Sequence, residues 1–227
     1  MEYAEAVEQA PPGWRHFTIE DVARLPEAVR RHEMARIPDG EPGERIIRAL
    51  FWTLVYHLEP EKWDELARHE PIHPDLIHAL PSGVDIALDV GAGSGRLTQQ
   101  LVTRSRRVVA VEPSAGLRAI LTRRLPAVSA VAGWAESLPL EDGCSHLTAA
   151  SGAFGPDPPV LAELRRVTAP GGLIALISPE SPEWFEAEGW RRITAPPLQA
   201  PHHPAWLDEF FGPLDPPHEL VTMRVDA

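Results

Sequence analysis

Three glycines at alternate positions, Gly91, Gly93 and Gly95, follow the aliphatic run Ile86-Ala87-Leu88-Asp89-Val90 and precede Arg96-Leu97-Thr98. A short apolar run of this kind, bounded by glycine, reads as a buried strand. Glycine permits the tight turn that must follow and leaves the main chain open to a ligand. The residues after it read as a helix start, whose free N–H groups point at whatever lies over the loop. A strand, a glycine loop and a helix predict an open α/β sheet with its ligand beyond the carboxyl ends of the strands.

The loop also discriminates between ligands. A dinucleotide fingerprint needs G-x-G-x-x-G, and Arg96 stands where its last glycine belongs. No G-x-x-x-x-G-K-[ST] occurs, which excludes a P-loop. Asp89, just before the loop, repels a polyanion and suits a cation. S-adenosylmethionine (SAM) carries a sulfonium and an ammonium and no phosphate.

Further landmarks follow in order. Val108-Val109-Ala110-Val111-Glu112 reads as a second buried strand ending in an acid, 17 residues after Gly95. An acid there can accept both ribose hydroxyls, in a SAM site as in a dinucleotide site. Residues 128–140 read as a third strand and a loop, and His146 to Ser151 as a fourth strand. Leu161 to Val167 reads as a helix, Pro170-Gly171-Gly172 as a turn, and Leu173 to Ile177 as a fifth strand. The ordered set, over residues 70 to 180, resembles the class I SAM-dependent methyltransferases, specifically the small-molecule, methyltransferase type 11-like enzymes that include those of quinone biosynthesis.

The resemblance implies a Rossmann-like, doubly wound, mostly parallel seven-stranded sheet, covering residues 81–227, with an N-terminal helical cap over residues 1–80. It implies SAM as cofactor, held by Asp89, Gly91, Ala92, Gly93, Gly95, Glu112, Pro113, Trp134, Ala135, Glu136 and Ser151. Two positions depart from the family pattern. The loop after strand three often reads Gly-Asp-Ala there, and here Trp134 replaces the acid, leaving adenine to the Ala135 N–H, to stacking on Trp134 or to Glu136. His146 replaces an acid near the start of strand four, a packing difference.

Composition bounds the partners. The net charge is −12, with Lys62 the only lysine, and phosphate neutralisation is what drives nucleic-acid binding. The densest basic run, Arg104, Arg106 and Arg107, reads as a solvated loop. Cys144 is the only cysteine, which leaves no internal disulfide and no cysteine-ligated zinc or iron–sulfur cluster. The amino terminus lacks the cationic and apolar regions of a signal peptide, and no apolar run reaches the ~18 residues of a membrane span. These features predict a cytoplasmic protein with no nucleic acid, no membrane and no metal; the resemblance implies a small-molecule acceptor, and a monomer or homodimer is expected.

Residues 1 to 15 read as frayed. Short helices are expected near Thr18 to Pro26 and over Glu27 to Arg36, with a turn-rich linker at residues 38–43. The strongest helix spans Glu44 to Leu58, where Ile47, Leu50, Phe51, Leu54, Val55 and Leu58 form one stripe. Ile46, Trp52 and Tyr56 widen it, so the helix faces either more core or an apolar substrate. His57 at its edge reads as a structural histidine before a base. A short helix over Pro74 to Leu80 precedes strand one.

The candidates for the acceptor pocket are Trp52, Tyr56, His57, Trp63, His73 and Phe154, and the family resemblance marks Trp63, His69 and His73 as roofing the cofactor. His69, His73 and His78 make a poor metal set, because Pro71 and Pro74 prevent one helical face from presenting all three. Residues 196–217 hold seven prolines and read as an irregular excursion. Gly189 to Ala195 reads as strand six, and Val221 to Val225 as strand seven at the antiparallel edge.

The expected activity is methyl transfer to a small molecule by in-line displacement, with no assigned catalytic residue. An NAD-dependent oxidoreductase is disfavoured by the missing third glycine. A SAM-binding scaffold or regulatory protein without turnover is the alternative outside catalysis.

Overall fold

The computed structural model describes residues 2–10, 12–36, 42–199 and 201–226. Its centre is a seven-stranded sheet in the order β3-β2-β1-β4-β5-β7-β6. The strands are β1 (Val84–Val90), β2 (Ser105–Val111), β3 (Ser129–Val131), β4 (Ser145–Ser151), β5 (Thr168–Ile177), β6 (Arg191–Thr194) and β7 (Glu219–Arg224). Five pair in parallel and β7 runs antiparallel to both β5 and β6. The order reverses between β1 and β4, and such a switch point opens the crevice in which α/β sheets bind ligands.

Strict alternation along the strands builds two cores. Ala87, Val108, Ala110, Leu147, Ala149, Ala175, Ile177 and Leu220 face one side. Leu88, Val90, Val109, Val111, Ala150, Ile174, Leu176 and Val221 face the other. Strands buried on both faces need apolar residues at successive positions, which is why these runs look continuous in sequence. Helices α5 (Pro74–Ala79), α6 (Thr98–Val102) and α7 (Ala115–Arg124) cover the first face. Helices α8 (Pro158–Val167) and α9 (Pro182–Ala187) cover the second.

The residues before β1 form a helical layer of their own: α1 (Tyr3–Gln9), α2 (Glu27–Ala35), α3 (Gly43–Leu58) and α4 (Pro60–His69), with 3-10 turns at Pro12–His16 and Ile19–Arg24. The α3 stripe is buried as its spacing predicts, Leu54 and Val55 completely. Each such side chain contributes about 1.5–3 kcal/mol. Phe17, Val22, Leu25 and Val29 from the chain before it, and Leu207 and Phe211 from beyond the sheet, close round α3.

Four sequence expectations change. Residues 2–10 are not frayed: Ala6 and Ala10 pack on Ile47 and fix α1 against α3. The proline-rich stretch 196–217 contains a helix, α10 (Ala205–Phe211), whose Leu207 and Phe211 complete the core around α3. Prolines outside the helix end it without forbidding it. Strand seven is not at the edge, because β7 lies between β5 and β6. The Pro-Gly-Gly turn lies within β5: Gly171 bends at φ +78°, yet its N–H still bonds Val225 and pairing continues. Most of the expected linker, residues 38–41, lies outside the described residues.

Candidate cofactor site

The glycine loop leaves β1 at Val90. Gly91, Gly93 and Gly95 take φ of +69°, +56° and +101°, a region costly for residues with a Cβ. A Cβ on Gly91 would meet that of Ala153 at 2.9 Å. A Cβ on Gly93 would lie 3.0 Å from the Trp63 indole Nε1. The loop is a cradle built for close approach.

Asp89 and Glu112 flank it, and both are buried, at 1% and 5% exposure. The Asp89 Oδ2 accepts the Thr98 hydroxyl at 2.6 Å, while Oδ1 is buried without any partner. Burial pushes the carboxyl up to about 7, with Glu112 adding to the effect and Thr98 opposing it. Glu112 follows β2 directly. One of its oxygens accepts the Gly93 N–H at 2.9 Å and the other the Ser114 N–H at 2.8 Å. Burial raises this carboxyl too, against those two bonds. Glu112 thereby ties the second glycine to the start of α7. Pro113, beside it, gives its carbonyl to Arg118 at 2.7 Å.

The helical layer lies over this loop. Tyr56 offers its carbonyl to the Ser114 hydroxyl at 2.6 Å, and Tyr56 packs edge-on against Trp63. The Tyr56 phenol has its pKa raised by burial and by Glu112. Asp64, 3% exposed, joins α4 to α7 through Arg124 at 2.8 Å, and Arg124 also holds the Ser94 carbonyl at 3.0 Å. Burial works against the Asp64 charge, but bonds from Arg68 and Arg124 outweigh it and hold the pKa low.

On the far side of the cleft, the ring of His32 stacks on Trp134 at 3.7 Å and 13°. Glu136 bonds His32 and pairs with Arg36 at 2.9 Å, and Arg36 reaches Asp157 at 3.1 Å. Helix α2 is thus latched across the loop that follows β3. Trp63, Ala67, Asp89, Gly91, Ala92, Gly93, Ser94, Arg96, Leu97 and Ser151 line a cavity of only ≈ 20 Å³, room for about one water.

Of the expected residues, Asp89, Gly91, Ala92, Gly93, Ser151 and Trp63 meet at that cavity. Gly95 turns away toward Leu121 and Leu125. Trp134 and Glu136 meet the helical layer instead, and Ala135 packs toward the core beneath β1 and β4. Trp52 and Tyr56 stack on one another, and Trp52 on Phe211. His57 lies 6.3 Å from Trp134, ring to ring, and burial lowers it to about 4. Two candidates serve other ends. His73 caps α5, its Nδ1 accepting the Asp75 N–H at 3.1 Å. Phe154 packs on the second core, where α8 and α9 lie.

His32 and Arg36 carry no local signal in the sequence, because a helix laid against the loop after β3 brings together residues about a hundred positions apart.

Comparison with known proteins agrees with this architecture. Residues 87–172 match the family described as "Methyltransferase domain". The chain is 38% identical over 100 residues to an uncharacterized methyltransferase of Mycobacterium tuberculosis, covering 43% of this chain and 41% of that protein. It is 37% identical over 118 residues to a demethylmenaquinone methyltransferase of Beutenbergia cavernae, covering 50% of this chain and 48% of that protein. The chain spans less than half the length of these curated relatives.

In structure, it is similar to the YcgJ protein of Bacillus subtilis, with a TM-score of 0.52 at 15% identity over 68% of this chain and 100% of that one. It is also similar to a SAM-dependent methyltransferase of Aquifex aeolicus, with a TM-score of 0.50 at 18% identity over 74% and 97%. These two likenesses concern the fold. The matched stretch, residues 87–172, carries the glycine loop and the acid after β2, and over it the chain is similar to a methyltransferase domain.

Proposed function

We propose that the protein binds SAM at the glycine loop and transfers its methyl group to a small-molecule acceptor by in-line displacement. One observation carries the reading: the Asp89 Oδ1, buried at the mouth of the glycine cradle, has no partner. A buried polar atom left bare is costly and calls for a ligand. A carboxylate there calls for a cation. The residues fit SAM: Asp89 would take its ammonium, and Glu112 the ribose hydroxyls on the lone pairs its two N–H bonds leave free. Gly91 and Gly93 admit its methionine part, and once His32 leaves its ring Trp134 would offer adenine a face, with the Ala135 N–H as donor.

When bound, SAM supplies a methyl group already activated by its sulfonium. What remains for the chain is to hold, orient and dry the site. Residues 1–80 serve as a cap for this purpose. Trp52, Tyr56 and Trp63 give it an apolar, aromatic underside suited to an acceptor with a flat or greasy body. Because Trp63 stands against Gly93, it must withdraw before a cofactor enters.

Calorimetry with SAM and with NAD tests this reading. SAM is expected to bind and NAD to be ignored, and binding of NAD alone would overturn it. The closed cleft favours a second reading, a scaffold that holds SAM without turnover. SAM binding with no methyl transfer across a panel of phenol, amine and carboxylate acceptors would support the scaffold.

A further inference from the structure

We propose that Arg96 is the receptor for the carboxylate of the cofactor's methionine part, and that Glu70 occupies that place in the closed state. This rests on the SAM reading above.

Arg96 stands where a dinucleotide loop would have its third glycine, and its side chain is 12% exposed. It lines the cavity shared with Asp89, Gly91 and Gly93. It also lines a second cavity, of ≈ 280 Å³, with Arg68 and Arg124. Its Nη1 is spent on Glu70, at 3.1 Å to the carboxylate and 3.2 Å to the carbonyl. Its Nη2 has only a long contact, 3.5 Å to the Ser151 hydroxyl. Guanidinium offers five donors in a plane, so the N–H groups not bonded to Glu70 can receive an incoming carboxylate as Glu70 is displaced.

Glu70 is held from the other side as well, its second oxygen accepting the Asp215 N–H at 3.1 Å. Burial raises the Glu70 carboxyl and lowers the Arg96 guanidinium, so the pair lies in a poorly solvated place where an added anion would be felt strongly. SAM presents one ammonium, one sulfonium and one carboxylate. Asp89 answers the first, and among the described residues lining the cavity over Gly93, Arg96 is the one cationic side chain. Glu70 sits at the end of α4, which carries Trp63. Exchange of Glu70 for the ligand's carboxylate would therefore loosen the same segment that must leave the cleft.

The test compares SAM with decarboxylated SAM, which differ only in that carboxylate, by calorimetry on the whole chain. Arg96→Gln alone would leave Glu70 buried and unpaired, so Glu70→Gln accompanies it, and Glu70→Gln alone is the control. The wild type and Glu70→Gln are expected to prefer SAM by ~10–100-fold, the worth of hydrogen bonds to a charged group. The double variant is expected to bind the two ligands within about threefold of each other. A preference that survives in a folded double variant, or a wild type that binds both equally, overturns the proposal. Equal weakening of both ligands in both variants would make Arg96 a strap between segments and nothing more. Failure of the wild type to bind either ligand would instead sink the cofactor reading, and this assignment with it.

Discussion

The Trp63 indole Nε1 lies 3.0 Å from the point where a Cβ on Gly93 would sit. A side chain of the helical layer thus fills the space that the glycine loop keeps clear. On the proposed reading, a cofactor at the glycine loop displaces Trp63. Trp63→Ala should speed SAM association severalfold, because a ligand that waits for an open state pays for its rarity. Stopped-flow fluorescence of the remaining tryptophans reads the rate. An unchanged rate would mean that Trp63 does not gate the cleft.

The two bonds of Glu112 to Gly93 and Ser114 alter what its removal should do. From sequence alone the acid looks like a cleft residue whose loss spares the fold. In the folded chain it satisfies two buried donors. Glu112→Ala should cost about 1–3 kcal/mol of apo stability and weaken SAM binding as well. Urea denaturation and calorimetry measure the two effects. Loss of affinity with full apo stability would show that the N–H bonds are made only incidentally.

Asp89 gives the protein a pH signature. Its carboxyl is raised by burial from 3.8 to about 7, so the folded chain holds a proton that the unfolded chain releases more easily. The stability it contributes is full below pH about 4 and is lost as pH rises through about 7. Asp89→Asn should remove that slope, leaving the apo protein more stable than wild type at pH 8 and little changed at pH 4. SAM binding should weaken by tenfold or more, as a cation loses its charged partner. Thermal melts between pH 4 and 8 decide it, and a wild-type profile that Asn leaves unaltered would contradict the assignment.

Truncation of the helical layer should harm folding. Phe17, Val22, Leu25 and Val29 cover Phe51 and Leu54, and Ala6 covers Ile47. Deleting residues 1–36 uncovers a largely apolar face of α3 and also strips the buried Thr53 hydroxyl of Glu33. The expected outcome is aggregation or a large drop in melting temperature, seen by light scattering and calorimetry. A monomeric, cooperatively melting truncation would show that α3 is held by the sheet unit alone.

How much of this was legible beforehand follows from the range of each interaction. The β1 strand, the glycine loop and the acid after β2 are local patterns, and the structure places them within a residue or two of their reading. The α3 stripe was equally plain, since burial at i, i+3, i+4 and i+7 needs only one helix. Strand seven was visible as an alternating run, but its place between β5 and β6 was not. Any antiparallel partner satisfies the same alternation. The helix α10 was masked by the prolines around it, because local composition does not report that Leu207 and Phe211 find a core 150 residues away in sequence.

The site divides in the same way. The sequence alone determined where the glycine turn and the two strand-end acids fall, because the turn demands glycines at φ values other residues resist and a strand's end follows from its local pattern. Only the tertiary structure decided that the crevice is closed. The stacking of His32 on Trp134, the Glu136–Arg36 latch, the seating of Trp63 on Gly93 and the sharing of Arg96 by Glu70 all join the helical layer to the sheet unit. Such contacts depend on how two separately patterned surfaces meet, and neither surface encodes the other's position in its own periodicity.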